Sequence, residues 1–162
     1  MKLYIIGPCG SGKSTLARNI AAQANVPLHA LDRLFYAERF SSEKRPSDER
    51  DALLAEILAA PQWVIEDIGR PCFTSAFEQT DNIVLLDLPG WLIFWRLLKR
   101  HCKQVLKLEQ CDYKPSLRML GLMCRGLKRN SRNDLKQRLE PYADKVIALR
   151  CRRDVNQYNK TA

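Results

Sequence analysis

Short hydrophobic runs alternate along the chain with segments in which apolar residues recur every three or four positions. The runs that are typical of strands are KLYIIG, VPLHAL, WVIED, NIVLLDL and KVIALR. Between the first two, the segment KSTLARNIAAQA places Leu16, Ile20 and Ala24 on one helical face. Strand alternating with helix predicts right-handed βαβ units, and therefore an α/β fold with a five-stranded parallel sheet.

The third and fourth runs are almost continuously apolar, which is typical of strands covered on both faces of a parallel sheet. Helices on both sides of the sheet give a three-layer α/β/α sandwich. The helices predicted after the second run are DERDALLAEILAA with Ser47 as its cap, WLIFWRLLKRHCKQVL, and a helical pattern from Ser116 to about Tyr142. The residues after the fifth run are predicted to be a polar tail.

With 162 residues, the chain is long enough for one domain, 1–162, with its own core. No secretory signal is evident and the six cysteines are scattered without a CxxC pair, so reduced thiols and a cytoplasmic location are expected. The longest apolar stretch, LPGWLIFWRLL, is interrupted by Arg96 and is too short to span a bilayer. No membrane partner is therefore expected.

Charge is distributed unevenly along the sequence. Residues 1–90 contain 9 basic and 12 acidic residues, a net charge of −3, whereas residues 91–162 contain 18 and 6, a net charge of +12. A basic half of this kind can contact nucleic acid, or its arginines can surround a small ligand rich in phosphate. Composition leaves both interpretations open.

The clearest chemical signal is the stretch GPCGSGKST, which fits the pattern G-x-x-x-x-G-K-[ST] from Gly7 to Ser14. It follows a predicted strand and opens a predicted helix, where backbone N–H groups can hold phosphate oxygens. Lys13 would reach the outer phosphates of ATP, and the hydroxyl of Ser14 would bind Mg²⁺. The motif predicts a P-loop and the fold of P-loop-containing nucleoside triphosphate hydrolases. The predicted nucleotide-binding residues are Gly7, Pro8, Cys9, Gly10, Ser11, Gly12, Lys13, Ser14, Thr15 and Arg152.

Beyond this loop, most of the chain resembles the small P-loop kinases related to adenylate kinase. In WVIEDIGR, Glu66 matches an acid that helps to hold the Mg²⁺ shell in the family, and Arg70 matches an arginine that grips the phosphate of the acceptor nucleotide. An acid at the carboxyl end of a strand beside a P-loop suits a metal. Asp67 is the neighbouring candidate, although strand alternation aims it the other way. The alternative to a metal site is that Glu66 and Asp67 are a pair of solvated acids at the end of a strand.

The resemblance continues in the long helix, where Arg96 and Arg100 match two arginines near the lid of these kinases. Their spacing of four residues places both on one helix face. The resemblance implies that they contact the phosphates of both nucleotides and stabilise charge on the transferring phosphoryl group. The alternative is a solvated basic face with four apolar side chains packed beneath it, namely Trp91, Leu92, Trp95 and Leu98.

Two C-terminal segments also match the family. Arg138, in KRNSRNDLKQRLEPY, matches an arginine that approaches the donor phosphates, and both Arg129 and Arg132 are candidates for an earlier one. The loop 150–154 corresponds to the segment that lies along the adenine ring, where the side chain of Arg152 could stack on the base.

The segment HALDRLF departs from adenylate kinases, which have a threonine and an arginine there. With Asp32 at this position, the chain resembles shikimate and gluconate kinases. It also resembles FlaR-type DNA topology modulation proteins, and these share the N-terminal P-loop, the LD pair after the second strand and the WVIE segment. Asp32 could accept a proton from an acceptor hydroxyl, orient Mg²⁺ through water, or cap a helix. With Arg33 and Arg70 nearby in sequence, the acceptor is predicted to be a nucleoside monophosphate, which Arg70 favours, or a small hydroxylated metabolite.

Two functions follow from these features. The first is a Mg·ATP-dependent phosphotransferase with a helical lid at about 101–133, in which the predicted catalytic residues are Lys13, Arg96, Arg100, Asp32 and Arg138. The second is an ATP-binding protein that contacts nucleic acid through its basic half and uses ATP as a switch.

Overall fold

The structure, a computed structural model, describes residues 1–37, 43–106, 108, 116–125, 127 and 129–161. Its centre is one parallel sheet of five strands in the order β2-β3-β1-β4-β5. The strands are β1 (Lys2–Ile6), β2 (Leu28–Ala30), β3 (Trp63–Asp67), β4 (Asn82–Leu86) and β5 (Val146–Leu149). The predicted five-stranded parallel sheet is confirmed.

Helices connect the strands and cover the sheet. In chain order they are α1 (Lys13–Ala24), α2 (Asp32–Phe35), α3 (Ser47–Ala59), α4 (Ala76–Gln79), α5 (Gly90–Val105), α6 (Leu117–Arg125), α7 (Arg129–Leu139) and α8 (Arg152–Thr161). Short 3₁₀ turns lie at Pro71–Phe73 and Glu140–Lys145.

The sheet is buried on both of its faces. Successive residues of β1 point to opposite sides, so Tyr4 and Ile6 join one apolar cluster with α3, α4 and α7, whereas Leu3 and Ile5 join another with α1 and α8. Burial on both sides explains the continuous apolar runs of the inner strands. The three-layer α/β/α sandwich is confirmed.

Several predicted boundaries were wrong at the ends of elements. Strand β2 has three residues, and β4 ends at Leu86, before the polar turn at Asp87. Ser47 is the first residue of α3 and does not cap it, because Pro46 occupies the cap position. The Ser47 hydroxyl bonds the carboxylate of Asp48 instead.

The polar tail predicted after β5 is also wrong, because α8 occupies Arg152–Thr161. The carboxylate of Asp154 accepts hydrogen bonds from the backbone N–H groups of Arg150 and Cys151, at 2.8 and 3.0 Å, which closes the first turn as in a capping box. Val155 and Tyr158 pack against the cluster around α1. The helix is polar elsewhere, which hid its periodicity.

The proposed lid at about 101–133 includes the end of α5, all of α6 and the start of α7. Residues 107, 109–115, 126 and 128 lie outside the described part of the chain, so the closure of a lid remains a prediction. Within the described residues, no helix has the length and apolar character needed to cross a bilayer.

Candidate active site

The P-loop joins β1 to α1 and bends through two glycines. Gly10 and Gly12 have φ angles of 81° and 99°, in the left-handed region that side chains disfavour. A Cβ atom on Gly10 would lie 2.8 Å from the side chain of Leu97 in α5, so this glycine also permits close packing. The Ser11 N–H donates to the carbonyl of Pro8 at 3.2 Å, which tightens the loop before α1 begins.

The loop lies at the carboxyl end of β1, between β3 and β4, where the order of the strands reverses. The last residue of β1, Ile6, pairs with Asp67 of β3 on one side and with Leu85 of β4 on the other. In open α/β sheets, ligands bind beyond the carboxyl ends of strands at such a switch point. The predicted phosphate loop and the acids of β3 therefore meet at one edge of the sheet.

Two polar side chains of the loop are buried and lack partners among the described residues. The ammonium group of Lys13 makes no hydrogen bond or ion pair there, although Lys13 is buried. The Ser11 hydroxyl is likewise buried and unbonded. A buried hydroxyl without a hydrogen bond is costly, and an ammonium without a partner belongs to the same loop, so this arrangement suits a site that receives an anion.

Ser14 and Glu66 form the next layer of the site. The Ser14 hydroxyl donates to Glu66 Oε2 at 2.9 Å, and Glu66 is buried at the end of β3. A hydroxyl and a carboxylate are the hard oxygen ligands that Mg²⁺ takes in proteins, so these residues fit the metal. Within the described residues, no three His, Cys, Asp or Glu side chains gather to hold a metal by themselves. A metal here would need further ligands from phosphate and water.

Asp67 points away from Glu66, as strand alternation predicts. Its carboxylate is buried and accepts hydrogen bonds from the backbone N–H groups of Gly69 and Arg70, at 2.7 and 2.6 Å. A third bond comes from the Arg70 side chain at 2.5 Å. Asp67 thus fixes the turn after β3 and orients Arg70.

Arg70 also forms an ion pair with Asp32, the first residue of α2. Its guanidinium lies over the ring of Phe35, 4.6 Å from the centroid. Burial lowers the pKa of Arg70, but Asp32 and Asp67 outweigh it and hold the pKa above its ordinary value. Asp32 does not cap α2, because Leu31 occupies the cap position. Arg33 is exposed and has no ion pair or hydrogen bond among the described residues.

Arg96 and Arg100 project from α5 toward the P-loop. Arg96 donates to the carbonyl of Ser11 at 2.8 Å, and Arg100 lies 3.7 Å from the thiol of Cys9. Burial and, secondly, the positive charge of Arg152 lower the pKa of Arg96. The two α5 arginines are therefore not a solvated face.

The alternative packing of α5 is wrong as well. Trp91 and Trp95 are exposed, whereas Ile93 and Leu97 face the core. Arg96 and Arg100 lie beside this buried stripe and not opposite it, since residues four apart share a face.

Sequence reasoning missed the contacts of α7 with the turn after β4. Arg132 and Lys136 both pair with Asp87, and Arg132 also donates to the carbonyl of Leu88 at 3.0 Å. Arg132 was a candidate for an arginine that approaches the donor phosphates, but its side chain is already bound to Asp87 and Leu88. The side chain of Arg129 lies outside the described part of the chain. The i, i+4 spacing of Arg132 and Lys136 was a usable signal, but their common partner lies 45 residues away from Arg132.

Arg138 lies beside the turn after β3. Its Nη2 donates to the carbonyl of Gly69 at 2.9 Å, while Nε and Nη1 are buried without partners among the described residues. The Tyr4 hydroxyl is also buried and without a hydrogen bond. Burial and, secondly, the charge of Asp67 hold the pKa of Tyr4 well above its ordinary value. The positive charges of Arg70 and Arg138 oppose this increase without cancelling it. Arg138 thus neighbours Arg70, on the side predicted for the acceptor, whereas the sequence placed it near the donor phosphates.

Comparison with known proteins gives matches among solved structures. No family model matches the chain, and no curated protein does. Shikimate kinase of Acinetobacter baumannii, solved with shikimate, is 18% identical with a TM-score of 0.61, covering 98% of this chain and 89% of that one. A sugar kinase of Janibacter sp. HTCC2649 is 18% identical with a TM-score of 0.57, covering 98% and 90%. A gluconokinase of Sinorhizobium meliloti 1021 is 16% identical with a TM-score of 0.53, covering 99% and 94%.

These matches extend over nearly the whole chain, and at such low identity they establish the fold. Neither the resemblance to FlaR-type proteins nor the nucleic-acid partner receives support from them. The chain has the P-loop α/β/α fold shared by shikimate kinase and gluconokinase.

Proposed function

We propose that this protein is a Mg·ATP-dependent phosphotransferase that acts on a small hydroxylated acceptor. The observation that carries the proposal is the ammonium of Lys13, which has no partner among the described residues of the P-loop, beside Ser14, whose hydroxyl bonds Glu66. A polyphosphate would supply the anion that Lys13 lacks. The kinases that share the fold support the same class of reaction.

The roles of the donor side follow from position. Lys13 and Arg96 would stabilise charge on the phosphates of ATP, with Arg100 behind them near Cys9. Ser14 and Glu66 would hold Mg²⁺, which neutralises phosphate charge when bound. Arg152, whose charge acts on Arg96, would lie near the nucleotide.

The acceptor side favours an alcohol over a nucleoside monophosphate. Arg70 is already paired with two carboxylates, Asp32 and Asp67, so its charge is offset before any acceptor arrives. An acceptor phosphate would have to displace Asp32 and meet its negative charge. A hydroxyl can instead donate to Asp32, which Arg70 holds in place. The proteins that share the fold favour the same choice, since they are a shikimate kinase solved with shikimate, a sugar kinase and a gluconokinase.

In this proposal Asp32 is the general base. Its carboxylate takes the proton of the acceptor hydroxyl as that oxygen attacks the γ-phosphorus of ATP, and ADP leaves with the electrons of the broken P–O bond. The ion pair with Arg70 orients the carboxylate of Asp32. Arg138, next to the same turn, would help to bind an anionic group of the acceptor.

The test is ADP production from Mg·ATP with a panel of acceptors, which includes the common nucleoside monophosphates, shikimate, gluconate and simple sugars. We expect turnover to be stimulated by one of the alcohols and abolished by Lys13→Ala. Lys160→Ala, which removes an exposed lysine at the end of α8, should have no effect. Stimulation by a nucleoside monophosphate alone would refute the acceptor assignment. ATP binding without stimulation by any acceptor would refute the phosphotransferase.

A further inference from the structure

Helix α5 has two apolar stripes, and only one of them faces the core. Ile93 and Leu97 are buried against Leu88 and the P-loop. The second stripe repeats every three or four residues along the opposite side and consists of Trp91, Phe94, Trp95, Leu98, Cys102 and Val105. We call this second stripe the outer face of α5.

Most of the outer face is open to solvent, although Leu98 at its middle is half-buried. Trp91 is 68% exposed, Trp95 is 61% exposed, and Leu106, which follows the helix, is 67% exposed. A surface helix ordinarily turns one apolar stripe inward and a polar one outward. Large exposed aromatic side chains grouped on one surface mark a site of interaction.

The charged residues of the two helices at this face are all of one sign. Every charged residue of α5 is basic, and so are both charged residues of α6, which packs beside it. Lys99 and Lys103 are exposed along one flank of the outer face. Asp87 and Asp154, acids on neighbouring segments, are already bonded within the protein. The described residues of this face therefore favour a partner that is negative as well as apolar.

An anionic bilayer fits these requirements better than a macromolecule. A second copy would present another helix whose charges are all basic, with no acid to pair with them. Single-stranded nucleic acid could stack on Trp91 and Trp95, but bases would leave the aliphatic Leu98 and Val105 without an apolar partner. In a bilayer, tryptophan favours the headgroup level, aliphatic side chains reach the acyl chains, and lysines meet anionic headgroups.

We propose that the outer face of α5 docks the protein on the surface of an anionic lipid bilayer. The sequence-based expectation of no membrane partner rests on the length needed to span a bilayer. A helix that lies in the plane of the interface needs no such length. Because Arg96 and Arg100 project to the P-loop side, docking through the outer face leaves the candidate active site uncovered. This inference is independent of the proposed reaction.

The tryptophans themselves provide the first test. The chain contains three, of which Trp63 is fully buried, so a change in emission on docking reports on Trp91 and Trp95. We expect a blue shift with vesicles of phosphatidylcholine mixed with phosphatidylglycerol, and quenching when the acyl chains are brominated. Vesicles of phosphatidylcholine alone should give little change. No shift with either vesicle would overturn the proposal.

Co-sedimentation with the same vesicles tests the residues. The double variant Trp91→Ser, Trp95→Ser should lower the partition coefficient at least about tenfold, because it removes the apolar anchors. Lys103→Gln should lower it about fivefold on anionic vesicles, since one lysine near such a surface contributes on the order of 1 kcal/mol. Lys160→Gln is the matched control, because both lysines lie in the last turn of a helix, and it should change nothing.

Other occupants give distinct results. The variants carry only exposed substitutions, and circular dichroism should show that they remain folded. A concentration-dependent dimer in sedimentation velocity that the tryptophan variant abolishes, with no vesicle binding, would assign the face to a second copy and overturn the proposal. Binding to single-stranded DNA that depends on the same tryptophans, again without vesicle binding, would overturn it in favour of nucleic acid.

Discussion

The carboxylate of Glu66 lies 2.9 Å from the Ser14 hydroxyl at the end of β3. Replacing it by glutamine keeps the shape and an oxygen acceptor but removes the charge that would favour Mg²⁺. We expect Glu66→Gln to lower Mg²⁺-dependent turnover about 10–100-fold, the usual cost of altering groups that support a metal site. The measurement is ADP production as a function of Mg²⁺ concentration. Glu56→Gln, an exposed change on α3, is the control, and equal curves for the two variants would contradict the assignment.

Asp32 offers a second test on the scale of one residue. Asp32→Asn retains the position beside Arg70 but cannot take a proton. If Asp32 is the base, turnover with the acceptor falls about 10²–10⁴-fold while ATP binding is unchanged. Asp51→Asn, which alters an exposed carboxylate on α3, serves as the control. A change in the acceptor KM without a change in kcat would show that Asp32 only positions the acceptor.

Sequence predicted the donor side better than the acceptor side, for a physical reason. The P-loop and Glu66 depend on local backbone geometry, and a strand followed by a glycine-rich turn specifies that geometry within a few residues. The partner of Arg70 is 38 residues away and becomes visible only when β2 and β3 pair. Likewise Arg138 contacts a carbonyl 69 residues away, which no spacing rule could reveal.

On the scale of elements, glycine serves different purposes in the P-loop and in α6. Gly10 combines a positive φ with close contact to Leu97, whereas a Cβ atom on Gly121 would meet nothing within 4 Å. Gly10→Ala should therefore lower the free energy of unfolding by about 1–3 kcal/mol. Gly121→Ala, in the middle of a helix, should raise it by about 0.5–1 kcal/mol. Urea denaturation of both variants measures this, and equal effects would refute the strained loop.

Asp87, in the turn after β4, holds α7 through its ion pairs with Arg132 and Lys136. Burial raises the pKa of this carboxyl, but the bonds from Lys136 and Arg132 lower it more, so it lies below its ordinary value in the folded protein. The stabilisation is therefore complete above the unfolded pKa of about 3.9 and is lost as the pH falls through the lower folded value.

We thus expect Asp87→Asn to lower the free energy of unfolding by about 1–3 kcal/mol at neutral pH, because two cations lose a charged partner. The difference from the wild type should shrink as acid protonates Asp87 in the native chain. Denaturation at a series of pH values measures it, with Asp144→Asn, an exposed carboxylate, as the control. A difference independent of pH would exclude the charge as its origin.

The elements themselves were predictable where one periodicity dominated. The inner strands were visible because both sheet faces are buried. Helix α5 was recognised, but its two apolar stripes gave no means of deciding which one faces the core. Helix α8 was missed because Val155 and Tyr158 are its only packed apolar positions among otherwise polar residues.

On the scale of the whole molecule, binding of a nucleotide should raise the free energy of unfolding. The ammonium of Lys13 has no partner among the described residues, so an anion that pairs with it favours the folded state. A non-hydrolysable ATP analogue with Mg²⁺ at 100 times its dissociation constant contributes about 2.7 kcal/mol. For a protein of this size, that corresponds to an increase in Tm of about 5–10 °C.

This last prediction separates binding from chemistry, because no acceptor is needed. Thermal unfolding should show the shift in the wild type and in Asp32→Asn, whose change lies on the acceptor side. Lys13→Ala should show almost no shift with the analogue, because it removes the cation that would pair with the phosphates. A full shift in Lys13→Ala would mean that the nucleotide binds elsewhere, and the roles given to Arg96, Ser14 and Glu66 would fall with it.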